Sequence, residues 1–100
     1  MKKVRRNRQH AKIARLNRHL EISADPLKPR RIRTRSARYA AALAEQLGML
    51  ERPKCCSWCR RRWLPLERHH WNYDEPLNIT FLCGDCHEIA DTMNSQVVSA

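Results

Sequence analysis

Two Cys-x-x-Cys turns, Cys56-Ser57-Trp58-Cys59 and Cys83-Gly84-Asp85-Cys86, stand 23 residues apart in a chain of 100. No other feature constrains the fold as strongly. The stretch that carries them, residues 53–100, is below the size at which an apolar core alone usually holds a domain together, so a covalent or metallic staple is needed. A two-residue gap folds into a knuckle whose sulfurs converge on one point. Two knuckles complete the four-thiolate tetrahedron that zinc takes at about 2.3 Å per bond. Cys56, Cys59, Cys83 and Cys86 are therefore the candidate ligands of a structural Zn²⁺ with no open position. Disulfides or a redox pair are the alternatives for the same residues. The cysteines number five, so a disulfide scheme leaves one over. Cys55 is the extra thiol. It either replaces Cys56 in a Cys-x-x-x-Cys register or is a small buried or free side chain.

The charge is one-sided. Lys and Arg number 20 against 10 Asp and Glu, a formal +10. Residues 1–38 hold 4 Lys and 10 Arg against Glu21 and Asp25, whereas residues 39–100 hold 6 cations against 8 acids. A basic arm thus precedes a near-neutral, cysteine-bearing module. Such an arm is the electrostatic footprint of a nucleic-acid binder. The alternative is a solvated helix that only keeps a small protein soluble. The candidate contacts to a DNA phosphate backbone are Arg5, Arg6, Arg8, Arg15, Arg30, Arg31, Arg33 and Arg35. A metabolic enzyme with a neutral surface does not fit this balance. Neither does a membrane protein, because the longest apolar stretch, Tyr39 to Leu43, is far short of the roughly 20 residues of a span, and no membrane is expected among the partners. Met1-Lys2-Lys3-Val4-Arg5-Arg6 is followed by no apolar run, which predicts no signal peptide and an intracellular, unsecreted protein.

Along the chain, Ile13, Leu16 and Leu20 form a thin apolar stripe at helical spacing within a basic segment free of Gly and Pro. The stripe can dock on the module, or the segment can stay disordered until DNA screens its charge. Ser23 to Pro29, with two prolines, reads as a linker. A helix is predicted from about Ser36, its N-cap, through Tyr39, Leu43 and Leu47, with Ala40 to Ala44 favouring it and Gly48 ending it.

The module also carries a run of histidines: Glu67-Arg68-His69-His70-Trp71-Asn72-Tyr73-Asp74, then Asn78, then Cys86-His87. Leu64 to His70 and Asn78 to Leu82 are predicted strands, joined by a loop containing Pro76. A helix is predicted from Asp85 onward. On it Cys86 and His87 point about 100° apart, so one faces the zinc and the other does not, while His87 and Asp91 at i and i+4 share a face. His69 and His70 point to opposite sides of a regular strand. As alternatives, the histidines are packing residues, or one is a zinc ligand beside three cysteines.

Cys-x-x-Cys, His-His, Asn and Cys-x-x-Cys-His in this order resemble the pattern of the HNH endonucleases with a zinc-knuckle support, whose fold is the ββα-metal or His-Me finger. The likeness covers Pro53 to Asn94 and is closest to small phage-type members, which carry a short loop like His69-His70-Trp71-Asn72-Tyr73-Asp74-Glu75-Pro76-Leu77. The arm is not covered. With the charge and helix pattern this gives an α+β chain: a basic helical or partly disordered arm over 1–35, a helix and linker over 36–52, and a zinc-stapled module over 53–100 whose ββα-metal fold is what the resemblance implies. The resemblance also implies a metal-dependent DNA endonuclease in the cytoplasm of a bacterial or phage-infected cell, leaving 5′-phosphate and 3′-hydroxyl ends. His70 would be the general base, Asn78 the residue that aims it, and His69 a ligand or support of the catalytic ion. His87 would ligate that divalent ion. Asp91 stands where many members place a further His, and a carboxylate there favours Mg²⁺ or Mn²⁺. The loop between His70 and Asn78 is also short, which bears on the shape of the DNA groove.

The chemistry asks for these residue types. Phosphodiester hydrolysis needs a nucleophile made from water, and an imidazole with a pKa near 6.5 suits that task at neutral pH. One divalent ion serves both the phosphoryl oxygens and the leaving 3′ oxygen. Arg68 is close enough in sequence to assist. The rival reading is a non-catalytic zinc-binding, nucleic-acid-binding module. A small basic ribosome-associated protein accounts for the arm and the zinc but not for the histidines.

Overall fold

A computed structural model describes the backbone of residues 2–99 and the side chains of residues 8–94. The side chains of Arg5 and Arg6, two of the candidate DNA contacts, lie outside the described ones. The elements are α1 (Lys2–Ala24), α2 (Arg30–Gln46), β1 (Leu66–His70), β2 (Ile79–Cys83) and α3 (Gly84–Ser99). The fold is α+β, with the two strands antiparallel. Among the described residues, no helix is long and apolar enough to cross a membrane. Two compact units divide the chain. One runs up to Glu51 and includes Asn72–Leu77; the other comprises Arg52–Trp71 and the chain from Asn78 onward.

The first unit is a helical hairpin. Asp25 shapes the bend, its carboxylate accepting the Leu27 N–H at 2.9 Å and its carbonyl accepting the Lys28 N–H at 3.2 Å. Pro29 stands at the N-cap of α2 with φ −59°, already set for a helix start. The helices run antiparallel: Arg33 Nε donates to the Ser23 carbonyl, His19 Nδ1 lies 3.3 Å from Ser36 Oγ, and Leu16 clusters with Ala40 and Leu43. Ala37, Ala40, Ala41 and Ala44 are fully buried. Methyl-sized side chains along this stripe let the two backbones approach closely. The turn after α2 satisfies its last carbonyls: Gly48, at φ +79°, donates to Glu45 O and Met49 to Ala44 O.

Several expectations for this unit are corrected. Helix α2 starts at Arg30, so Ser36 is no N-cap but a buried interior residue, and a boundary at 35/36 falls inside one helix. The reason is Pro29, which nucleates the turn, followed by six residues without a breaker. Ser23 and Ala24 complete α1 instead of opening a linker, with the Ser23 hydroxyl donating to Leu20 O. The apolar stripe docks on α2 through Leu16 and Leu20, while Ile13 remains 41% exposed. Arg33 is held by the hairpin: it also pairs with Asp74 at 2.9 Å within the same unit.

The second unit is a β-hairpin followed directly by a helix. Its register pairs Leu66 with Cys83, Arg68 with Phe81, His69 with Thr80 and His70 with Ile79. Strand β1 is shorter than predicted at its start. Trp63 has φ +65°, and Pro65 has no N–H to give to a ladder, so Leu64 and Pro65 stay outside it. Strand β2 and α3 each begin one residue from the expected place, and α3 starts at Gly84 inside the second cysteine turn. Leu82, fully buried, centres a small core with Cys56, Cys83, Cys86 and Ala90, against which Leu66 packs.

Candidate metal centres

The four cysteines predicted as a set come together. The sulfurs of Cys56, Cys59, Cys83 and Cys86 all lie within 4.8 Å of one another. The first turn is fixed by backbone geometry: Cys56 donates to Arg61 O, Arg60 donates to Cys56 O at 3.0 Å, and Ser57 donates to Phe81 O on β2. Cys55 pairs with Arg62 in an isolated bridge and stays outside the sulfur group, which Cys56 joins. Tetrahedral bonds of about 2.3 Å place neighbouring sulfurs about 3.8 Å apart. Cys59 Sγ and Cys83 Sγ are 3.8 Å apart. The donor set therefore fits a metal ion such as zinc.

The electrostatics favour a cation at the centre. Burial resists ionisation of Cys56, but the backbone N–H groups of Cys83, Cys59 and Trp58 outweigh it and bring the thiol down to about 6. Cys59 is also lowered, first by the Arg61 guanidinium, whose Nε lies 3.3 Å from the sulfur. Cys86 is pushed up to about 12, by burial and then by the neighbouring thiols. A divalent ion among the sulfurs would favour their thiolate forms and offset the burial that raises Cys86.

A second group gathers His69 on β1 with His87 and Asp91 on α3, again with ligand atoms within 4.8 Å of one another. Asp91 Oδ1 is 3.3 Å from His69 Nδ1 and 3.6 Å from His87 Nε2. His87 and Asp91 share a face, as their i, i+4 spacing predicts. Burial lowers the pKa of His69, with Asp91 opposing, and so favours the neutral imidazole that ligates metals. This donor set, two imidazoles and a carboxylate, suits a divalent cation.

His70 does not join this group. It follows His69 on a regular strand, so its ring projects to the other face together with Arg68. Its side chain is buried, and its carbonyl accepts Asn94 Nδ2 at 3.0 Å. Asn78 is exposed and stands one residue beyond the His70–Ile79 pair. Of the predicted DNA contacts, Arg8, Arg15, Arg30, Arg31 and Arg35 are exposed.

Three residues at these centres carry no assignment from sequence reasoning. Glu67 Oε1 lies 2.5 Å from His87 Nδ1. Its signal is the i, i+2 spacing to His69, which puts both on one strand face. Arg61 reaches Cys59, Cys83 and Asp85 at once. Asn94 approaches His69 Nε2 at 3.5 Å, one helical turn beyond Asp91.

No family model matches the chain, and no curated protein or solved structure matches it either.

Proposed function

We propose that the chain is a metal-dependent DNA endonuclease of the ββα-metal kind. The observation that carries this reading is the meeting of His69, His87 and Asp91 on one hairpin–helix unit that a four-cysteine cluster also staples. In this reading Zn²⁺ on Cys56, Cys59, Cys83 and Cys86 is structural only. His69, His87 and Asp91 hold a Mg²⁺ or Mn²⁺ ion. Such an ion supplies charge neutralisation at the phosphoryl and leaving oxygens. His70, the last residue of β1, takes the proton from the attacking water, which requires the strand end to turn its ring toward the His69, His87 and Asp91 group, and Asn78 steadies the end of the loop beside it. Glu67 fixes the His87 ring through Nδ1 and leaves Nε2 toward Asp91. The exposed arginines bind phosphates of the DNA backbone without reading sequence.

One observation favours the second reading, a non-catalytic zinc-binding module for nucleic acid: His70 is only 4% exposed. Plasmid nicking with Mg²⁺ or Mn²⁺ separates the two. The nuclease reading expects cleavage by the wild type and a loss of about 10²–10⁴-fold in His70→Ala, with zinc content and DNA affinity kept. His87→Ala should lose cleavage too, but excess Mn²⁺ should restore part of it. Absence of metal-dependent cleavage by the wild type on plasmid, duplex and branched DNA establishes the binding module instead.

A further inference from the structure

The second unit leaves its tryptophans partly in water. Trp58 is 39% exposed, Trp71 38% and Trp63 89%. An indole is the largest apolar side chain, and a small unit short of core would be expected to bury it. Two of the three are instead held in fixed positions at the surface. Trp58 lies between Cys56 and Cys59, in the turn anchored to β2 by the Ser57–Phe81 bond. Trp71 follows β1 directly, and its Nε1–H donates to Thr80 Oγ1 at 3.1 Å.

These two rings adjoin each other and the second metal-ligand group. Trp58 and Trp71 have centroids 5.8 Å apart with planes at 34°. Trp71 meets His69 edge to face at 4.4 Å, and His69 lies 5.1 Å from His87. A row of four rings thus runs from the first cysteine turn to the His69, His87 and Asp91 group. The turn continues into Arg60, Arg61 and Arg62, all exposed. Half-exposed flat rings in contact with each other, followed in the sequence by exposed arginines, combine stacking with attraction for a phosphate chain.

We propose that Trp58 and Trp71 form a stacking platform for an unpaired nucleobase, so that this unit engages single-stranded DNA in preference to intact duplex. The proposal deepens the nuclease reading and rests on it for the identity of the bound polymer. In a duplex the base faces are already stacked on one another, and exposing one has a cost that a single strand does not incur. Every base has a π face, so the platform is tolerant of sequence. The Trp71 ring is already tied to Thr80 and in contact with Trp58, so few rotamers are frozen on binding.

The test uses the full zinc-loaded chain without added Mg²⁺ or Mn²⁺, so that binding is read apart from cleavage. A short oligothymidylate should quench tryptophan emission and bind more tightly than a duplex of equal length at the same salt. Trp58→Ala should weaken oligothymidylate binding by about 5- to 150-fold and leave duplex binding nearly unchanged. Trp58→Phe should recover most of the loss, which a mere folding defect would not allow; zinc content and melting temperature check the fold of each variant. Equal losses on both DNAs, or none on either, overturn the platform. So does quenching by vesicles of anionic lipid but not by oligothymidylate, which would identify a membrane surface as the partner. The nuclease reading is scored separately by plasmid nicking. Nicking by the wild type without any effect of Trp58→Ala on single strands rejects the platform and keeps the nuclease. Selective loss on single strands without nicking supports the platform and rejects the nuclease.

Discussion

The Glu67 carboxylate meets Nδ1 of His87 at 2.5 Å, while Nε2 of the same ring lies 3.6 Å from Asp91. The two carboxylates therefore hold opposite edges of one imidazole. A carboxylate on Nδ1 fixes the tautomer and orients the ring.

Glu67→Gln should weaken binding of Mn²⁺ at the His69, His87 and Asp91 group by about 10- to 100-fold. Zinc content and melting temperature should stay near the wild type, because Glu67 is exposed and is not among the four clustered cysteines. Calorimetric titration of the zinc-loaded chain with Mn²⁺ checks this. Unchanged Mn²⁺ affinity would mean that the pair only caps a helix face.

Removing the zinc should unfold the second unit. A structural zinc site contributes on the order of 10 kcal/mol in small modules, more than the few buried side chains around Leu82 can replace. The purified protein should hold one zinc on Cys56, Cys59, Cys83 and Cys86, and Cys83→Ser should lose it together with the strand signal. Cys55→Ser should retain the metal, since Cys55 lies outside the sulfur group. Elemental analysis and circular dichroism read both outcomes; a folded, zinc-replete Cys83→Ser protein contradicts the claim.

The second unit is the more legible in the sequence, and the reason is local. Two-residue gaps between cysteines, an i, i+4 pair such as His87 and Asp91, and alternation along a strand are short-range rules that survive folding unchanged. The helical hairpin is less legible. Ala40 to Ala44 shows helix propensity, but that Ala37, Ala40, Ala41 and Ala44 are the face on which α1 lies depends on a partner distant in sequence. Ser36 has the chemistry of an N-cap, yet Pro29 starts the helix earlier and Ser36 meets His19. Arg33 has the same local setting as the arginines around it. Its bonds to Ser23 and Asp74 come from 10 and 41 residues away, beyond the reach of any local pattern.

The helical hairpin should lose stability as the solution is acidified. Burial, then Arg18 and Arg15, hold the pKa of His19 below 6.5 in the folded unit. The unfolded chain binds the proton nearer 6.5 and so binds more protons through that window. The contribution is complete above 6.5 and declines as pH falls through the lowered value. His19 also stacks against Tyr39 at 5.2 Å and approaches Ser36, so a charged ring there is poorly placed. Thermal melts at pH 8 and pH 5 should show a larger drop for the wild type than for His19→Gln, which cannot titrate. Equal drops would assign the acid sensitivity elsewhere.

DNA binding should depend on salt through the exposed arginines, and the hairpin dictates how that is measured. Deleting residues 1–35 would remove α1 and the start of α2 and strip the core around Leu16, Ala40 and Leu43, so weaker binding would be confounded with unfolding. Replacing Arg8, Arg15, Arg30, Arg31 and Arg35 together by Gln leaves that core intact, because all five are exposed. Each arginine–phosphate pair contributes a slope of about 0.9 in log affinity against log salt. Abolishing five such pairs should flatten the slope by about 4 to 5. The zinc content should not change, since none of the five lies in the cysteine-bearing unit. Arg33 is left in place because it holds Ser23 and Asp74, and Arg33→Gln alone should lower the melting temperature more than the salt slope. Filter binding on duplex DNA across a salt series, with melting curves for each variant, measures both quantities. An unchanged slope in the five-arginine variant would take these side chains off the phosphate backbone and leave the charge of α1 and α2 as a solvated surface.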